Sequence, residues 1–482
     1  MPNAFGRSLQ VLSLIAVLAL LICSASAQSV QTLKHQPPDG AQLTFQLTDG
    51  TVLAQGYGDS DWWKLTPDNT GSYVNGTWSQ VASLPSGYSP EAFASAVLAD
   101  GRLLITGGEY NFGNFTLTNL GAIYDPAANT WTNLPPPKNW LYIGDSPATI
   151  LPNGYFLVGN KLTKQLREYN PAKAKWTSIS AKGKKDFDAE EGWTLLANGT
   201  ILTADVKAAP NSEIYSTTAK EWTTAGSTIV DLHSPSPFGC ISYGPGGKLC
   251  YYPPGEIGPQ ILLPNGNVFV AGSYTSTGNG AGHTAYYNSL QGGWTVGPDF
   301  PNADNAGDSF AVLLPNGEEL VEGDSGIGYL WNGTNLTPTN DVPGSLMVLP
   351  TGQILVAGVE VYNGPGTYQT SWQPTITSCP TTVTPGSTYS ISGTQFNGLS
   401  QANAFGDEYQ TATNYPLVRI TNNSTGHVFY AKTHGHSTMG VATGSETVST
   451  NFDVSSATET GPSTLAVVAN GIPSAPFNIT VQ

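Results

Sequence analysis

The chain is poor in charged residues, in cysteine and in apolar runs long enough to span a bilayer. Charged residues fill only 11% of 482 positions, well under the quarter usual for soluble domains. Ser, Thr, Asn and Gly must therefore make most of the surface, which suits an extracellular protein. Basic residues are especially scarce, 18 against 34 acidic. Nucleic acid is not an expected partner, because binding it rests on neutralising phosphates with Lys and Arg. The one long apolar stretch, Leu9 to Ile22, follows Arg7 and precedes Ala25-Ser26-Ala27. That layout predicts a secretory signal peptide over residues 1–27, cleaved near Ala27, and a secreted or periplasmic mature protein. Loss of Arg7 with the signal leaves 17 basic against 34 acidic residues, a net charge near −17. Of the four cysteines, Cys23 lies in the leader. Cys240 and Cys250 bracket a Gly-rich excursion that a disulfide would staple in an oxidising compartment, and Cys379 is left over as a small residue of the last segment.

Against these scarcities stands a recurring pattern. Four times a tyrosine is followed seven positions later by a tryptophan: Tyr124 and Trp131, Tyr169 and Trp176, Tyr215 and Trp222, Tyr287 and Trp294. The residues between, as in Y-D-P-A-A-N-T-W, read as a strand end, a turn and a second strand start. Upstream of each pair an apolar run is broken by Asp-Gly or Asn-Gly, the strongest short-range hairpin signal. That turn recurs at Asp49-Gly50, Asp100-Gly101, Asn153-Gly154, Asn198-Gly199, Asn265-Gly266, Asn316-Gly317 and, weaker, Thr351-Gly352, at spacings of 35 to 67 residues. A four-stranded meander of this length buries its faces only against neighbouring copies. The count of turns therefore predicts an all-β fold, a seven-bladed kelch-type β-propeller over residues 28–372. Residues about 28–42 precede the first unit and can supply a strand that closes the ring. After Trp372 the pattern stops, and Thr-rich alternation with Pro/Gly turns predicts an immunoglobulin-like β-sandwich over 373–482.

A secreted propeller followed by a sandwich that ends in N-G-I-P-S-A-P, residues 470–476, resembles galactose oxidase and its relatives, the copper radical oxidases. The resemblance implies a C-terminal domain that dips a ligand into the propeller. It also implies a copper site built from a Tyr–Cys thioether, a second Tyr and two His. Registered on the turn glycines, the thioether cysteine falls at Ala94, its tyrosine at Asp145 and the Tyr-His pair at Val342-Pro343. Copper is thus disfavoured, and the resemblance is one of architecture, which does not by itself imply function. Thr433-His434-Gly435-His436, in the middle of the sandwich segment, offers the dipping ligand. His434 and His436 are therefore the candidates for a transition metal or a channel contact.

In place of the oxidase residues the chain has carboxylates. Glu91 and Glu256 lie ten residues before Gly101 and Gly266, while Asp145, Glu190 and Asp308 lie nine before Gly154, Gly199 and Gly317. Glu191, beside Glu190, joins them as a candidate. This offset is the beginning of the innermost strand, so the carboxylates are expected to converge at one mouth of the channel. Strand parity brings to the same face Trp62 and Trp63 with Asp59, Tyr110 and Asn111, His233, the Cys240–Cys250 loop, and His283 within G-N-G-A-G-H-T. Insertions on one face are where propellers place ligands.

Like charges around a narrow channel raise one another's pKa or call for a cation. Three chemistries stay open: a hard divalent ion such as calcium, a general acid paired with a general base, or acids that each satisfy backbone N–H groups of neighbouring blades. Trp62 and Trp63 either stack on sugar rings or pack a blade. The expected function is carbohydrate binding or processing at the acidic mouth. The alternative is a non-catalytic adhesion module that presents its loops to a protein partner.

Overall fold

The computed structural model describes residues 28–57, 60–235, 239–243, 247–251, 255–275, 280–406 and 408–482. The signal segment 1–27 and Asp59 lie outside the described residues. Among them, seven sheets follow one another along the chain, six of four strands and one of five. The first is Leu43–Gln46, Val52–Gln55, Trp62–Thr66 and Thr77–Gln80, paired antiparallel in sequence order. The first strands of the later sheets are Ala94–Val97, Ala148–Ile150, Thr194–Leu195, Gln260–Leu262, Ala311–Leu313 and Leu346–Val348. They stand side by side about a common axis, and Leu346–Val348 returns against Leu43–Gln46. The seventh sheet takes its outermost strand from the other end of the chain: Ser29–Thr32 pairs with Glu360–Asn363, Ser29 opposite Asn363. That closure ties the two ends of the ring together.

Each sheet is built from the same two devices. At the hairpin between the first and second strands, a leucine amide donates to the carbonyl four residues on, as in Leu47 to Thr51 and Leu314 to Glu318, both 2.8 Å. The glycine amide donates back to the same leucine, and the glycine alone holds a left-handed φ, 76° at Gly50 and 90° at Gly317. This is a three-residue loop with a glycine bulge, not the two-residue turn that an Asn-Gly pair most strongly favours. Asp and Asn recur for another reason. Their side-chain oxygen accepts from the backbone amide two residues on, at 3.0 Å from Thr51 to Asp49 and from Thr200 to Asn198. At the outer hairpin, Tyr and Trp sit directly opposite each other, with ring centroids 5.0 to 5.3 Å apart in all four pairs.

The C-terminal strands form a separate curved sheet around a core of Val418, Ile420, Phe452 and Val467. Its long strand Val428–His434 pairs with Leu417–Asn422 through its first half and with Thr447–Asp453 through its second, which turns the sheet over on itself. This unit sits on the glycine-hairpin side of the ring. The amides of Thr433, Gly435 and Met439 donate to the carbonyls of Thr48, Ala99 and Pro152, at 2.8 to 3.0 Å.

Between its strands, residues 397–415 leave the C-terminal unit and run up the axis of the ring. Asn403–Ala404 pairs with Ala311–Val312 and makes that sheet five-stranded. Gln401 donates to Thr149 Oγ1 (2.9 Å) and accepts from the Leu195 amide (3.3 Å), while Asn403 accepts from the Val348 amide (3.2 Å). Gln410 bonds Ser95 and the Ala148 carbonyl. The innermost strands are edges whose polar groups face the axis and need partners there, and these amide side chains supply them. Gln401→Leu should therefore leave the Leu195 amide and the Thr149 hydroxyl unpaired in a dry channel. A loss of about 1–3 kcal/mol in urea or thermal unfolding is expected, without a change in secondary structure by circular dichroism.

Candidate functional site

At the mouth away from the glycine hairpins, the ring and the axial segment enclose a cavity of about 340 Å³. Five of the six carboxylates singled out in the sequence line it: Glu91, Asp145, Glu190, Glu256 and Asp308. They get there by strained entries to the innermost strands. Glu190 and Asp308 hold left-handed φ of 54° and 52°, Ala92 follows Glu91 at 49°, and Gly144 precedes Asp145 at 78°. Such conformations cost of order 1–3 kcal/mol each for residues other than glycine and cluster where side chains must be aimed. Two more carboxylates complete the lining. Glu109 comes from the loop after Leu103–Thr106, and Glu408 arrives with Phe405 and Tyr409 on the axial segment.

One cation stands among these acids. Lys161, on the loop after Phe156–Val158 and only 2% exposed, contacts Asp145, Glu190 (2.6 Å) and Glu109 (3.3 Å). Burial alone would strip its proton, but the surrounding carboxylates outweigh burial and hold the ammonium firmly. A single positive charge cannot balance three neighbours. Burial pushes Asp145 well above the ordinary carboxyl range, opposed by Lys161 and reinforced by Glu109, Glu190 and Glu408. Its second oxygen, Oδ1, is buried without a partner. Opposite, Glu256 is raised to about 11 by burial and by the charges of Glu190 and Asp308. Asp308 is raised to about 7 by burial and by the charge of Glu190, against a hydrogen bond from Glu256 that favours its ionised form. These two carboxyls titrate together.

Glu191 does not belong to this cavity. Glu190 holds a left-handed φ of 54° in a turn, and the chain past it directs Glu191 into its own sheet. There, fully buried, it meets Lys184 Nζ at 2.6 and 2.8 Å. Glu213 lies 3.0 Å from the same ammonium, and Asp205 is close enough for the three carboxylates to form a metal-like cluster. A lysine fills it instead. Acids do satisfy backbone amides elsewhere: Glu322 accepts from Phe310 (3.2 Å) in its own sheet and from Gly344 (2.5 Å) at the next. Asp145 and Glu190 direct their contacts to Lys161.

The other candidates are dispersed. Tyr110 lines the cavity and packs on Phe115 at 5.3 Å. Asn111 does not reach it, because its side chain is spent on the Ser89 amide (2.8 Å) and the Gly87 carbonyl. Trp62 is wholly buried between Phe45 and Trp131, so it cannot stack on a sugar, and Trp63 does not line the cavity. His233 is bound to Asp231, and His283 to Asp299 at 2.6 Å, both away from the lining. His434 and His436 are not channel contacts. The segment carrying them lies on the glycine-hairpin side, where His434 pairs with Asp453 (3.1 Å) and His436 stacks by Tyr415, its pKa lowered to about 3 by burial. The residues that do enter the channel, 397–415, carry Glu408 and Tyr409 in place of a histidine. Cys240 and Cys250 face each other across the hairpin Gly239–Tyr243 and Gly247–Tyr251. That hairpin lays Tyr243 against Tyr142, 5.2 Å between ring centroids.

No protein-family profile matches the chain. It is 24% identical over 303 residues to N-acetylneuraminate epimerases of two Haemophilus influenzae strains, 86-028NP and PittEE, covering 52% of this chain and 76% of theirs. Among solved structures it resembles a fungal alcohol oxidase of the AA5 family in complex with copper, with a TM-score of 0.51, 14% identity and coverage of 95% of this chain and 99% of that one. The likeness is one of fold: a nearly all-β, propeller-like architecture of the galactose oxidase type.

The cavity does not fit the copper of that oxidase. Imidazole and thiolate suit copper, and among the described residues neither a His nor a Cys lines the cavity, whose only phenols are Tyr110 and Tyr409. Ala94, at the thioether position, is buried in its strand. Copper loading should give no hydrogen peroxide from galactose, and tryptic peptides should show no cross-linked Tyr–Cys pair.

The charge balance sets the pH response. An acid whose folded pKa is raised stabilises the fold fully below its unfolded pKa and loses that contribution as pH rises through the folded one. For Asp308 the window runs from 3.8 to about 7. The melting temperature should fall as pH is raised across that window, and Asp308→Asn should flatten the fall. Lys161→Met removes the cation paired with Asp145, Glu190 and Glu109, so its penalty should be large at pH 7 and shrink toward pH 4, as differential scanning calorimetry across pH would show.

Proposed function

We propose that the protein binds and processes a carbohydrate at this acidic mouth, with Glu256 as the protonated acid and Asp308 as its ionisable partner. The observation that carries the reading is the convergence of seven carboxyl side chains on one open cavity, with Glu256 and Asp308 both raised by burial and like charge, a setting in which one carboxyl can serve as acid and another as base. Lys161 acts from behind the lining, fixing the positions of Asp145, Glu190 and Glu109. The carbohydrate part draws support from the relatives, which are named for a sugar-acid epimerase. Their substrate does not transfer directly. Seven carboxyl side chains line this cavity, and a sugar carboxylate would face like charge at close range. Neutral or amino sugars fit better. The same reading takes the seven sheets as seven blades of a kelch-type propeller over residues 28–372 and the C-terminal unit as an immunoglobulin-like sandwich. It takes the protein as exported after cleavage near Ala27, with Cys240 and Cys250 joined as a disulfide across their hairpin.

A glycan array probed with the mature protein tests it. Binding should favour neutral or amino sugars over sialylated ones, and the pair Glu256→Gln with Asp308→Asn should abolish turnover of the bound sugar while the melting temperature at pH 7 is kept or raised. An array with no sugar signal, or a double variant as active as the wild type, would sink the reading.

A further inference from the structure

Beside the acidic cavity, and sharing Gln42 and Glu91 with it, lies a second cleft of about 240 Å³. Two aromatic side chains flank it. Tyr57 is 69% exposed and Phe112 is 45% exposed, a costly way to leave large apolar rings unless something covers them. Phe112 is also held at a φ of 52°, in the left-handed region that a bulky residue enters only under constraint. It sits at the tip of the hairpin Tyr110–Asn111 and Asn114–Phe115, whose other end places Tyr110 in the acidic cavity. The two-residue turn takes a positive φ at both Phe112 and Gly113, 52° and 67°, so a bulky ring that touches water holds a position that Asn or Gly fills at lower cost.

The floor of the cleft is polar. Gln55 is 2% exposed and its amide is oriented by donation to the Pro90 carbonyl at 2.8 Å. Its Oε1 is buried and has no partner. A buried acceptor left open is unfavourable, and this one belongs to a side chain lining the cleft. An oriented acceptor below and aromatic faces above form the environment that takes a sugar ring, whose hydroxyls donate and whose C–H face packs on π-systems.

Building on the carbohydrate reading, we propose that this cleft is a second sugar subsite and that the ligand is an oligosaccharide of at least two rings. One ring sits at the carboxyls and the next lies between Tyr57 and Phe112, with a hydroxyl donating to Gln55. Glu91 stands at the junction, shared by both spaces.

The test uses the mature full-length chain and isothermal titration with a matched series of neutral and amino mono-, di- and trisaccharides chosen from the array. In the wild type, affinity should rise at least tenfold from one ring to two. Tyr57→Ala with Phe112→Gly should erase that gain and leave monosaccharide affinity within about twofold. Phe112→Gly alone relieves the backbone, so its melting temperature should be equal or higher, which separates loss of binding from loss of fold. Gln55→Met should reduce only the disaccharide gain. If sugars bind but the disaccharide gains nothing, or the gain survives the double variant, the subsite is wrong while the carbohydrate reading stands. If no sugar of any length binds, both fall together.

Discussion

The constraint on which the rest depends is the set of open strand edges around the central axis. Seven short first strands present unpaired amides and carbonyls toward a channel too narrow for bulk water, and unmet groups there would cost more than the sheets gain by meeting. Residues 397–415 answer that demand, with Gln401, Asn403 and Gln410 each reaching different sheets. The same insertion carries Phe405, Glu408 and Tyr409 on to the opposite mouth. Tyr409 then ties its hydroxyl to the Ala92 amide at 2.8 Å, next to Glu91. Packing of the C-terminal unit and completion of the cavity are therefore one event, and a defect in the plug reaches the carboxyls.

At the mouth, electrostatics rather than packing sets the terms. Removing several carboxylates from water is unfavourable unless their charge is met or removed. The chain does both. Lys161 meets Asp145, Glu190 and Glu109 on one side, and a retained proton relieves Glu256 and Asp308 on the other. The cluster around Lys184 repeats the first solution inside a sheet, where Glu191 and Glu213 have no cavity to face. In both places a lysine stands among the acids.

The repeat made the ring and the convergence of five acids legible, because a period fixes which positions are equivalent even when the loops between them vary. Other residues of the site were hidden. Lys161 and Glu109 both stand two residues past the glycine that follows a second strand, but the residue type there changes from unit to unit, and Glu408 lies outside the repeat altogether. The axial plug was misplaced for a different reason. Histidines drew attention to 433–436, whereas the true insertion, 397–415, is rich in Asn, Gln and Gly and lacks the alternation of the strands around it. A stretch of that length without alternation inside a small β unit is itself a signal of a functional loop. Glu191 and Trp62 are both buried in their sheets, beside Lys184 and between Phe45 and Trp131, contacts that the repeat spacing does not announce.

Strain links these features. Ala92, Glu190 and Asp308 all take left-handed backbone conformations at the entries to their strands, although glycine would hold the same turns at lower cost. Only a side chain at positions 190 and 308 can deliver a carboxyl to the mouth, so the preference for acid over glycine there opposes stability twice, through the backbone and through burial of charge. A repeat selected only for folding would drift toward glycine at these entries, as position 144 shows one residue before Asp145. Both costs fall at the same two residues, which face the same cavity, and this is why the proposed ligand site is placed at the mouth.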